Sequence, residues 1–169
     1  MIEKLHEKIN NITPIDGLEY NVNNNQCIIK YTNNYTPTEQ ELQQINTIID
    51  QWPLERIKFL KLETLDTEWN NIISNGWTTP YGWKLGLDIQ DVSLLMGVFI
   101  LAKETHSSGL NSPIFIVDTN GISHEIAFAD LTNLLMQYGQ ARSLLSQNYS
   151  NKKTLIEQAS SIAELDNII

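Results

Sequence analysis

The sequence predicts an α+β protein, and two kinds of signal carry that prediction. Two short stretches, one around residues 18–31 and one around 114–127, read as strand, turn, strand. Between and after them, three longer stretches repeat apolar residues at the three-and-four spacing of a helix. The resulting architecture is an N-terminal β-hairpin with two helices, then a C-terminal domain made of a buried helix, a β-hairpin and a long helix. The domain boundary is placed at the Gly76–Gly82 loop, dividing a hairpin-plus-helical region (1–76) from an α+β domain (77–169).

Each element follows from local chemistry. Leu18, Tyr20 and Val22 alternate with polar residues, Asn23, Asn24 and Asn25 supply a turn, and Cys27 to Tyr31 is a β-branched return strand. Thr36, Pro37 and Glu39 read as a helix start: a cap, a proline suited to the first helical position, and the acid of a capping box. Leu42, Ile45 and Ile48 form the stripe of that helix. Pro53 opens a second helix, on which Leu62, Leu65, Trp69 and Ile72 share a face, and Asn75-Gly76 ends it.

Lys84 to Asp88 is a short strand, and Asp88 caps a helix over about Ile89 to Lys103. From Leu94 to Leu101 this helix is apolar nearly all round, which predicts that its own fold or partner chains bury it. A polar break over 106–113 follows. Ile114 to Val117 is a strand, Asp118-Thr119-Asn120-Gly121 a hairpin turn, and Ile122 to Ala127 the partner strand. Phe128 begins a long helix with Phe128, Leu131, Leu135, Tyr138, Leu145 and Tyr149 on one stripe. If unbroken to about residue 158, it is roughly 45 Å long. Ser160-Ser161 caps a short final helix.

Composition narrows the function. Apolar residues make up 41% and charged residues 18%, the balance of a folded domain rather than a disordered one. Eleven basic against twenty acidic side chains give a net charge of −9. Without a Lys/Arg cluster, such a chain repels phosphate, which argues against nucleic acid and against an anionic membrane surface. Cys27 is the single cysteine, so there is no intrachain disulfide, and the chain reads as made in the cytosol. The first residues lack the apolar core of a signal peptide, and the most apolar run, Leu94 to Ala102, is far short of a membrane span.

One polar cluster invites a chemical reading. Asp118, His124, Glu125 and Asp130 fall within thirteen positions. Asp118 sits where a turn wants an acid, and Asp130 where a helix N-terminus wants one. His124 and Glu125 are neighbours on a strand and point to opposite faces, so they do not share one ion. The cluster reads as a turn and a helix start, and no metal site is predicted. No nucleophile elbow, phosphate loop or dinucleotide fingerprint is present, so no catalytic residue and no cofactor is assigned. Cys27 reads as a small buried hydrophobe.

The aromatic loop holding Trp77, Tyr81 and Trp83 has three readings. Its rings plug a seam of the fold, anchor a partner, or line a sugar or peptide groove. The stripe of Phe128, Leu131, Leu135, Tyr138, Leu145 and Tyr149 packs on its own domain or lines an oligomer seam. Arg142 and Gly139 spoil it as a free coiled coil. These nine residues are the candidate interface.

The segments "YGWKLGLDIQDVSLLMGVFILA", "IFIVDTNGISHEIAFADLTNLL" and "LIEQASSIAELDNI" follow one another in the order of a known domain. They resemble a domain of unknown function found in tailed-phage tail, baseplate and tail-fibre proteins. The resemblance covers a little over half the chain. It departs from the pattern at Phe115, where a Trp is expected, and says nothing about residues 1–75. It implies a non-enzymatic structural protein of the virion tail, synthesised in the bacterial host cytoplasm. Its implied partners are other tail or fibre proteins and copies of itself, in a trimer or ring. The alternatives are a tail-fibre assembly chaperone that leaves before maturation, and a wall- or polysaccharide-active enzyme using the Trp77–Trp83 loop.

Overall fold

The computed structural model describes residues 1–110 and 112–168, the side chain of Asn34 apart. It is α+β, as the sequence predicts: five α-helices and three two-stranded antiparallel sheets among the described residues. In chain order these are α1 (Ile2–Asn10), β1 (Ile15–Asn21), β2 (Gln26–Tyr31), α2 (Glu39–Asn75), β3 (Trp77–Thr78), β4 (Lys84–Leu85), α3 (Ile89–Ser107), β5 (Ile114–Val117), β6 (Ser123–Ile126), α4 (Phe128–Gln158) and α5 (Ile162–Asp166).

Contacts divide the chain into two units. The first is Met1–Glu63 with the segment from Leu155, and the second is Thr64–Thr154. This division falls inside α2 and inside α4, not in the Gly76–Gly82 loop. The loop lies within the second unit, closed by a local bond and followed by a strand that the β5–β6 turn joins. Thr79 N–H donates to Trp83 O at 2.8 Å, and Thr119 N–H donates to Lys84 O at 2.9 Å.

In the first unit, β1 and β2 pair from Ile15 opposite Tyr31 to Asn21 opposite Gln26. Leu5, Ile9, Ile15, Ile45 and Trp52 are buried together as its core. Half-buried Cys27 packs on that core, and burial pushes its thiol up. The segment from Leu155 brings buried Ile156, Ala159 and Leu165. Lys58 Nζ donates to Glu157 O at 2.8 Å. Ser161 caps α5 by accepting from Glu164 N–H.

Three expectations change here. The first is α1, which the sequence reading leaves unassigned although Leu5 and Ile9 stand four apart. The second is the pair of helices expected over 36–75. They are one helix, and Pro53 lies inside it. Proline's fixed φ suits a helix, and its cost of about 3 kcal/mol, from the lost bond and the ring's clash with the preceding turn, is offset by burial of Ile45 and Trp52 on the turns before it. The third is the capping box, which sits two residues late. Thr38 N–H donates to Glu41 Oε2 at 2.6 Å, and Glu41 N–H donates to Thr38 Oγ1. Thr38 therefore takes the cap assigned to Thr36.

In the second unit, Leu85, Leu87, Leu95, Ala102, Ile116, Ile126, Leu131, Leu134 and Tyr138 form the core. Asp88 caps α3 by accepting from Asp91 N–H at 2.8 Å, as expected. The expected hairpin forms as β5–β6, with Phe115 opposite Glu125 and Ile116 opposite His124. The polar break over 106–113 runs through Asn111, which lies outside the described residues. The long helix α4 is unbroken for 31 residues.

Candidate interaction site

The four polar residues near the hairpin do not converge on one point. Asp118 closes the turn: its Oδ1 accepts from the N–H of Asn120 at 2.8 Å and of Ile122 at 2.9 Å, and its Oδ2 lies 3.1 Å from His124 Nε2. Asp130 stands in the first turn of α4. Among the described residues, no three His, Cys, Asp or Glu side chains are grouped so as to hold a metal ion.

The His124 hydrogen bond, then the N–H groups of Ile122 and Asn120, hold the buried Asp118 carboxyl below the usual carboxylate range. A carboxyl lowered by folding contributes stability above its unfolded value, near pH 4. That contribution is lost as pH falls through the lower folded value. Asp118→Asn is therefore expected to melt below the parent at neutral pH, with the gap closing as pH falls below the ordinary carboxylate range. Thermal melts across that range check it, and a gap of constant size would refute the charge argument.

The aromatic loop divides its rings. Trp77 meets Tyr138 edge-on at 5.8 Å and packs on the core. Trp83 also packs on the core and stacks on His124 at 4.5 Å, with 8° between planes. Tyr81 stacks on Trp83 at 6.0 Å and is 52% exposed. Two of the three rings thus serve the fold of the second unit. A hollow of about 370 Å³ beside Tyr81 and Trp83 also touches Glu125 and Asp130.

The α4 stripe turns inward. Leu131 is wholly buried and Tyr138 nearly so. Tyr138 Oη donates to Gly86 O at 2.6 Å, and burial pushes its pKa up to about 12. Phe128, Leu135 and Leu145 are half-buried against the same core, Phe128 also stacking on Phe99 and His106. Tyr149 stacks on Trp69 and donates to Asp66 Oδ1. Arg142 Nε donates to Leu87 O. Of the two readings of this stripe, packing on its own domain accounts for Leu131 and Tyr138, which have no surface left for a seam.

An apolar surface lies elsewhere, on α3 and β5. Leu95 and Ala102 are the buried residues of α3, whereas Leu94 and Leu101 are each 70% exposed. They lie seven apart, with Val98 between them, on one face. Phe115 and Val117 project from the outer face of β5, both more than half exposed. Two adjoining hollows, of about 850 and 220 Å³, run along this strip and share Val98 and Phe115 as walls. Of the two ways α3 was expected to be buried, its own fold covers one side only. Its all-apolar character was the signal for this surface, but it could not say which side stays open.

No protein-family model, curated protein or solved structure matches the chain. No helix among the described residues is long and apolar enough to cross a membrane. Chemically, the α3–β5 strip can bury apolar side chains next to a carboxylate, since Glu125 stands opposite Phe115 on the same face of the hairpin.

Proposed function

We propose that the chain is a structural component of a bacteriophage tail, baseplate or tail-fibre attachment assembly, acting through protein–protein contacts. The observation that carries the contact role is the strip of Leu94, Leu101, Phe115 and Val117. Contiguous apolar patches beyond a few hundred Å² are uncommon on free monomers and mark interaction surfaces. No charged residue occurs from Val92 to Ala102 of α3 or in β5, so the centre of the strip holds no charge for a partner to desolvate. The tail setting is supported by the resemblance described above, whose first two segments contain most of α3 and all of β5 and β6. Copy number in the particle would then follow the partner's symmetry.

Mass spectrometry of purified virions tests the reading. The expected result is this chain in a copy number that is a multiple of three or six. Absence from virions, with abundance in the infected lysate, would favour a fibre-assembly chaperone and overturn the proposal.

A further inference from the structure

Resting on that reading, we propose that the α3–β5 groove receives an amphipathic helix of a partner protein, with its apolar side on Leu94, Val98, Leu101 and Phe115 and a lysine or arginine paired with Glu125.

Shape comes first. Leu94, Val98 and Leu101 follow one another at four and three positions and form a ridge along α3. Steps of four and three are the seam spacing of two helices packed side by side. The hollows are walled by α3 on one side and by β5 on the other, a trough that suits one helix laid along it.

Charge then selects the partner. Glu125 lines the larger hollow, Asp91 and Asp118 the smaller, and among the described residues neither is lined by a lysine or arginine. Lys103, the sole lysine of α3, lies outside both linings. A second copy of this chain would bring another net charge of −9. Like charges facing each other across an interface oppose docking, whereas a basic residue beside the apolar anchors is drawn to the carboxylates. Glu125 is the best placed of these. It is exposed and sits directly across the hairpin from Phe115, whereas Asp118 is buried and engaged by the turn and His124.

Selection from an mRNA-displayed library of random peptides, with the full chain as bait, tests this. The enriched peptides are expected to repeat apolar residues at helical spacing and to carry lysine or arginine beside them. Their affinity should fall about tenfold or more on Leu101→Asp, as for loss of a central anchor. On Glu125→Lys it should fall too, and a peptide with its basic residues changed to glutamate should regain binding to that variant. Both positions are exposed, so circular dichroism and melting should match the parent.

Enriched peptides without basic residues, binding indifferent to both variants, or no enrichment at all would each overturn the proposal. So would light scattering that shows a dimer of this chain dissolved by Leu101→Asp. A chain present in virions that selects no basic amphipathic peptide sinks the occupant alone. A chain that selects such peptides but is absent from virions sinks the tail role alone.

Discussion

Leu131→Ala is expected to destabilise the protein by about 3 kcal/mol, the usual cost of removing a buried leucine side chain. Leu131 is wholly buried and shares its core with Leu87, Leu95, Ile116 and Ile126. The variant loses the transfer free energy of the deleted methyl groups and leaves a cavity that α3, β5 and β6 cannot fully close. Urea denaturation measures the loss as a lower midpoint at unchanged slope. The experiment also decides the role of the α4 stripe. A variant of nearly full stability that falls out of an oligomer would show that the stripe is a seam between chains.

Gly76→Ala should cost about 2 to 3 kcal/mol, from a left-handed backbone penalty together with a steric clash. Gly76 has φ +70°, and a Cβ built there would stand 2.6 Å from Leu85 O. That oxygen belongs to β4, which pairs with β3 directly after Gly76, so it cannot swing aside as a side chain would. Gly121 is the matching control. Its φ is +78°, but a Cβ there meets nothing within 4 Å, so Gly121→Ala should cost only about 1 kcal/mol. Equal losses in the two variants would mean that β4 yields and that its approach to Gly76 is not tight.

Legibility in the sequence followed how local each signal is. The Asp118-to-Gly121 turn, the Asp88 cap and the Ser161 cap are settled by a few adjacent residues, and each stands where expected. The capping box moved by two residues because Thr36 and Thr38 both have an acid three positions on, and only packing chooses between them. Pro53 misled because a proline's cost is local while the burial offsetting it is not. For the candidate surface, the sequence pointed to the Trp77–Trp83 loop and the α4 stripe, whereas the exposed apolar strip lies on α3 and β5. The α4 stripe was amphipathic enough to look like a seam, and it became core.

What the sequence determined by itself is the α+β class, both expected hairpins with their turns, the long α4 and the short α5, the acidic charge and the uncharged stretch of α3. All of these are properties of neighbours along the chain, where side-chain period and turn chemistry act directly. Tertiary structure alone decided which apolar surfaces are covered. A helix with a polar face announces its solvent side. From Leu94 to Leu101, α3 has almost none, so periodicity cannot orient it. Only the arrival of β5, β6 and α4 on the Leu95–Ala102 side leaves Leu94 and Leu101 in the open, and with them the groove that Glu125 borders.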